Sequence, residues 1–387
     1  MYEKEHWLMG AVAALFVFVT YLLTMAPSVT FWDAGEFIAA SYCLGIPHPP
    51  GTPLFVIVGR VLSTLPLPIS IAARLNFLST LCGTAAALLI YLIAVKLIEK
   101  WVEDPKSWTS RLMIHGGGIA CAVIPAFLRT VWSNSTEFEV YAVATTTIIL
   151  CAWLMTYMGA SDDRRRMQRT ILLVIYIVSL SIANHLIVLL VAPAVIVYTL
   201  LHDRGNWRYW ASIVGLFLGV YLFVMKGLDL GEVFGRLHEA SSSHEGLLIG
   251  LYRYLTALTD ILFGLVNYVG SPPALFFGVL ITAGCLVWGW QQRSLGFFGA
   301  SLALFLLGFS IHAYLLIRAG FNPPINEGDP DNFRAFWAVI GREQYGSAYG
   351  LLPRQVWTMI TGKSVIHTLT DLRENILFYS NTTGPSI

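Results

Sequence analysis

The sequence predicts an all-α polytopic membrane protein: a bundle of transmembrane helices with a long first outward loop carrying interfacial helices. Three observations predict it. Hydrophobic residues make up 56% of the 387-residue chain and charged residues 12%, where a soluble domain carries about 25% charge. Apolar runs of about 20 residues, the length that crosses a bilayer, recur along the chain. Twelve Trp and 17 Tyr supply the amphipathic rings that collect at membrane interfaces. The net charge of +1 offers nothing to attract nucleic acid. Cys43, Cys82, Cys121, Cys151 and Cys285 form no CxxC pair and no metal spacing, so they read as small apolar residues.

Taken in order, the first span reads over 7–25. Glu3 and Glu5 spoil a basic leader, the apolar run is long and no small-x-small site follows, so it is not a cleaved signal peptide. Further spans read at 76–98, 112–132, 140–159, 170–184, 186–201, 209–226, 272–290 and 295–317. The pair 170–184 and 186–201 is short. No repeat of 20–50 residues is visible. One membrane domain over 1–355 and a C-terminal segment over 356–387, which can begin a longer region, are the expected organisation.

Basic residues set the orientation. Lys96, Lys100, Lys106 and Arg111 gather after the second span, and Arg164, Arg165, Arg166 and Arg169 after the fourth. Arg204 and Arg208 follow the sixth. The intervening short loops lack Lys and Arg, which puts the basic loops and the N-terminus in the cytoplasm. Segments 27–75, 133–139, 227–271 and 318–355 then face outward. Segment 247–269 holds Arg253 and Asp260 and reads as lying in the outer interface; if it spans, the final loop changes side.

The first outward loop carries the strongest chemistry. Asp33 and Glu36 are three residues apart and share a face if helical. Two acids crowded at a membrane edge push one pKa up, as a general base requires. The plainer alternative is a solvated acidic pair, but the flanking residues are apolar. His48-Pro-Pro-Gly-Thr-Pro53 cannot be regular helix. His48 is either structural or a donor to an anion.

The second loop offers Glu137 and Glu139, with Tyr141 after them; a solvated turn would read similarly. Asn184-His185 either lines the same cavity or merely turns the chain. Arg74, Arg129 and Arg318 stand at outward edges, as snorkelling anchors or as grips for a phosphate. Beyond Arg318 come Asn322-Pro-Pro324 and Arg342-Glu-Gln-Tyr-Gly346, in a stretch whose composition suits a lid or an exposed loop. No GxxxxGK[ST], HExxH or GxSxG string occurs, which removes support for nucleotide-driven and common hydrolase chemistry.

Phe31-Trp-Asp33-Ala-Gly-Glu36-Phe and Gly45-Ile-Pro-His48-Pro-Pro-Gly51-Thr-Pro53 resemble the signature of a bacterial membrane-protein family. That family is related to a eukaryotic transmembrane protein O-mannosyltransferase and belongs to the GT-C superfamily of lipid-linked sugar transferases. Glu139-Val-Tyr141, Asn184-His185, Asn322-Pro-Pro324 and Arg342–Gly346 resemble its later landmarks, so the likeness covers most of residues 1–350.

The resemblance implies a polyprenyl-phosphate sugar donor, with mannose favoured, and transfer with inversion to a hydroxyl of a secreted or membrane protein. It also implies an active site on the periplasmic face of a bacterial inner membrane. Asp33 takes the place of the essential acid, and Glu36 positions it or the acceptor. His48, Arg129 and Arg318 become candidates for the phosphate, with Glu139 and His185 near acceptor or sugar. Some superfamily members use a divalent metal at such acids. Asp33, Glu36, Glu137 and Glu139 offer oxygens for one, but no His-rich pattern accompanies them, and a metal-independent reaction is favoured. A transporter or lipid-sugar flippase is the alternative, yet it would place polar groups at span centres and show inverted repeats. A non-catalytic subunit is the third possibility.

Overall fold

The computed structural model describes residues 2–160, 163–222, 272–342 and 344. Over these the chain is helical, with no strand beyond one isolated bridge between Ile46 and Asn326. The first half contains α1 (Lys4–Thr24), α2 (Asp33–Cys43), α3 (Pro53–Thr64), α4 (Ile71–Ile98), α5 (Trp108–Ala126), α6 (Arg129–Thr136) and α7 (Val140–Met158). Next come α8 (Arg164–Ile182), a 3-10 turn (Leu186–Leu190), α9 (Val191–His202) and α10 (Trp207–Tyr221). Then follow α11 (Pro272–Gln291), α12 (Leu295–Phe309), α13 (Ala313–Ala319) and α14 (Phe333–Ile340).

Four stretches are long and apolar enough to cross a membrane: α1, α4, α7 and the run Leu295–Ala319. Two bent pairs raise the number to 6 among the described residues, against nine read from the sequence. The expected span 112–132 breaks just after Pro125, where α5 gives way to α6 at 72°, because proline removes a helix donor and crowds the preceding turn. The expected spans 186–201 and 209–226 meet at a 102° bend. The first turns of α8 hold four arginines, which keep that helix from reading as a full span. Helix α11 runs over 20 residues, Pro272–Gln291, and is apolar over Leu275–Gln291. Segment 247–269 lies outside the described residues.

Helix α4 is the hub, with α1, α5 and α7 packed around it. Tyr91, Leu92 and Val95 of α4 bury against Val17 and Tyr21 of α1 and Ile114 and Ala122 of α5. In lipid such packing gains close contact rather than release of water, so small residues matter at the crossings. Gly10 of α1 and Gly118 of α5 show why: a Cβ on either would stand 2.7 Å from a side-chain carbon of α4. A second cluster joins α7, α8, α10 and α12 through Cys151, Leu154, Ile171, Trp210 and Phe298.

The two ends of the bundle differ. At one end Glu5 pairs with Arg111 at 2.6 Å, and Glu99 with Lys96 at 2.6 Å and His6 at 2.9 Å. The opposite end gathers the α1–α4 loop, the α6–α7 link and the α8–α9 link. Asn76, fully buried in α4, holds two of these together. Its amide donates to the carbonyls of Ala26 (2.8 Å) and Ser28 (3.2 Å) and accepts from the Phe138 N–H (2.9 Å). The Leu54 N–H donates to Ala183 at 3.0 Å. The segment after α13 joins the same end: Ile46 donates to Ile325 (2.7 Å) and Glu327 back to Ile46 (2.9 Å).

Candidate active site

The site grows from the N-terminus of α2. Asp33 is its first residue and Glu36 lies one turn on, where the unpaired amides of a helix start favour negative charge. Phe37, on the inner face, packs against Phe55 of α3, which stacks on Phe138 at 4.0 Å. This apolar floor fixes the acids against the α6–α7 link. Leu44 ends α2 in the left-handed conformation, and the chain then returns through Pro47–Thr52 so that His48 faces Glu36.

Both Glu36 oxygens are engaged by one residue. The His48 N–H donates to Oε1 at 2.7 Å, and its Nδ1 lies 2.7 Å from Oε2. Burial pushes the Glu36 carboxyl up, but the hydrogen bonds and charge of His48 outweigh it and the net shift is downward. The hydrogen bond that His48 donates to Glu36 raises it above the ordinary histidine value, against desolvation and with help from the charges of Glu36 and Asp33. Both shifts favour the carboxylate–imidazolium form of the pair. The elevated acid expected of the Asp33–Glu36 pair is not Glu36. It is Glu139, raised to about 7 by burial and then by the charges of Asp33 and Glu137.

A cavity of about 450 Å³ opens here, lined by Asp33, Glu36, His48, Tyr141, His185 and Arg342. Asp33 has no hydrogen bond or ion pair among the described residues and is exposed to the cavity. His185 packs on Tyr141, ring centres 4.9 Å apart, and its Nδ1 accepts from the Ile187 N–H at 3.1 Å. Burial, followed by the charges of Arg342 and His48, lowers its pKa to about 4. His185 is thus a neutral imidazole with Nε2–H left to donate. Its neighbour Asn184 is structural: fully buried, it donates to the Val140 carbonyl at 3.0 Å.

Three arginines that the sequence offers as candidate phosphate grips are absent from the lining of this cavity. Arg129 opens α6, exposed and away from the cavity lining. Arg318 donates to the carbonyls of Leu44 (2.6 Å) and Cys43 (3.1 Å), closing the C-terminal end of α2. Arg74 donates to the carbonyls of Ile69, Ser63, Leu65 and Leu67 and so folds the α3–α4 loop. Among the described residues the arginine that lines the cavity is Arg342. The sequence marked the string it begins, but hydropathy could not tell that the chain after α14 returns to the first loop. Among the described residues no three His, Cys, Asp or Glu side chains are arranged to hold a metal, and both oxygens of Glu36 are already engaged.

Residues 33–208 match the family described as Protein O-mannosyl-transferase TMEM260 N-terminal domain. The chain is related to this family. Over 139 residues it is 30% identical to protein O-mannosyl-transferase tmem260 of Dictyostelium discoideum, covering 35% of this chain and 15% of that one. Over 137 residues it is 34% identical to protein O-mannosyl-transferase TMEM260 of Mus musculus, covering 35% and 18%. The matched stretch is thus less than a fifth of the length of either relative. No solved structure matches significantly. The region shared with the TMEM260 family takes in Asp33, Glu36, His48, Glu139 and His185 and ends before Arg318 and Arg342.

Proposed function

We propose that the chain carries the membrane domain of a glycosyltransferase. It moves a sugar, mannose by similarity, from a polyprenyl-phosphate donor to a protein Ser or Thr hydroxyl. The observation that carries this reading is the composition of one cavity: Asp33, a carboxylate without hydrogen bond or ion pair among the described residues, faces the same space as Arg342 and His48, whose pKa Glu36 raises. Transfer from a sugar phosphate needs a proton acceptor on one side of the anomeric carbon and positive charge on the leaving phosphate. The names of the TMEM260 relatives supply the reaction class.

In this mechanism the acceptor hydroxyl gives its proton to Asp33 as its oxygen bonds to the anomeric carbon. The bond from that carbon to the phosphate oxygen breaks on the opposite face, inverting the configuration. The phosphate leaves as an anion between His48 and Arg342, whose guanidinium can hold two oxygens at once. Glu36 keeps His48 protonated and aimed. His185 donates from Nε2 to a sugar or acceptor oxygen. No step is routed through a metal. The cavity lies at the end of the bundle away from the Lys96, Lys100, Lys106 and Arg111 cluster. The basic-loop rule then puts transfer on the outer face of the membrane.

The test is transfer of radiolabelled mannose from polyprenyl-phosphate mannose to membrane-protein acceptors, by wild type and Asp33→Asn at matched expression. Transfer by the wild type alone supports the reading. Equal transfer by both removes Asp33 from the reaction.

A further inference from the structure

The proposed mechanism leaves one ionisable group behind the cavity wall without a task. Glu139 sits between α6 and α7, immediately before the cavity-lining residues Val140 and Tyr141. It is 7% exposed, and its Oε2 is buried with no hydrogen-bond partner among the described residues. Its N–H donates to the Ser79 hydroxyl of α4 at 3.2 Å, and the nearby α4 side chains Asn76 and Ser79 are neutral. The charges that reach it are Asp33 from α2, Glu137 from its own link and His48 from the loop after α2. Two of these three are negative. No Lys or Arg among the described residues forms an ion pair with it.

An isolated carboxylate in such a place loses its hydration and gains no cation, so the neutral acid is the form that burial favours. We propose that Glu139 is a positioning residue that works in its protonated form, and that this proton sets whether the cavity accepts an anionic phosphate. With Glu139 neutral, the acidic and basic side chains lining the cavity are equal in number among the described residues, Asp33 and Glu36 against His48 and Arg342. When its proton passes to bulk water the region carries one extra negative charge, close by and poorly screened. That charge opposes a phosphate group and competes for His48. The inference rests on the proposed reading only in taking the anion to be a lipid phosphate.

The experiment uses the full chain purified into lipid nanodiscs and does not depend on turnover. Infrared difference spectra report the carbonyl stretch of a protonated carboxyl as pH is raised. The wild type should show such a band fading near neutral pH, and Glu139→Gln should lack it. Glu137→Gln, which keeps Glu139 but removes a neighbouring negative charge, should shift the midpoint downward. Binding of farnesyl phosphate, a short polyprenyl phosphate, is measured in the same samples at pH 6 and pH 8.5. Affinity should fall by about tenfold in the wild type across that range as the site gains a charge, and by clearly less in Glu139→Gln. Titration of His48 and the second ionisation of the ligand's phosphate are common to both proteins, so the difference between them is the reading. A wild-type spectrum without the band, or the same fall in affinity for both proteins, overturns the proposal. Absence of mannose transfer alongside the expected spectra and binding would count against the glycosyltransferase reading alone.

Discussion

Nδ1 of His48 stands 2.7 Å from Oε2 of Glu36, and the backbone N–H of the same histidine holds Oε1 at 2.7 Å. One residue thereby fixes both carboxylate oxygens across twelve positions of chain. In the mechanism we propose, this takes Glu36 out of competition for the acceptor proton, and Asp33 receives it.

Replacing Glu36 by Gln should lower the His48 pKa and weaken the return of the chain after α2. The stability effect has a defined pH window. Glu36 is shifted below its reference value of 4.5, so its contribution is present above that pH and is lost as pH falls through the folded value. His48 is shifted above 6.5, so its contribution is complete below 6.5 and is lost as pH rises through the folded value. Wild type should exceed Glu36→Gln by about 1–2 kcal/mol between these limits, with the gap narrowing on both sides. Both side chains are 29% exposed, which keeps the figure modest. Denaturation in detergent at a series of pH values measures it.

Asp33→Asn should lower transfer by roughly 10²- to 10⁴-fold, the usual contribution of a positioned base. Because Asp33 is exposed and makes no hydrogen bond or ion pair among the described residues, its thermal midpoint should match wild type. A midpoint well below wild type would show that the carboxylate is structural.

The arginines should separate by role. Arg342→Gln should weaken binding of a polyprenyl phosphate, whereas Arg129→Gln should leave it unchanged. Arg318→Ala should lower stability by about 1.5–3 kcal/mol, since it removes a charged donor from two carbonyls at the end of α2. Farnesyl phosphate binding and thermal unfolding on the same three variants distinguish the cases.

Asn76→Ala leaves the Phe138 N–H and the carbonyls of Ala26 and Ser28 without their partner in a fully buried place. A loss of about 2–4 kcal/mol is expected. Transfer should fall as well, because the same side chain ties the segment leading to Asp33 to the link that carries Glu139. Full activity in a destabilised Asn76→Ala protein would show that the two loops hold their positions without it.

The limits of sequence reading show in particular residues. Asp33, Glu36, His48 and His185 were legible because each sits in a polar break beside an apolar span, where a charged or imidazole group stands out. Arg342 was not, because nothing local marks a loop that returns to the first loop across some 290 positions of chain. Asn76 was hidden for a different reason: a single amide inside an apolar helix gives no periodic signal, and its value lies wholly in three backbone partners from other segments. Arg318 and Arg74 looked like phosphate grips because composition cannot tell a guanidinium that meets a ligand from one that meets carbonyls of its own chain.

What the sequence determined by itself was the solvent and the local geometry. Low charge and long apolar runs require a helical membrane protein, since every backbone group in lipid must be satisfied within its own segment. The acids at the start of α2 and the proline-rich break after it follow from local rules as well. Tertiary structure decided which apolar runs stay straight and which bend, and which charged groups meet. Those outcomes depend on contacts between segments far apart in the chain. Burial and neighbouring groups act only there, and they lower Glu36 while raising His48 and Glu139.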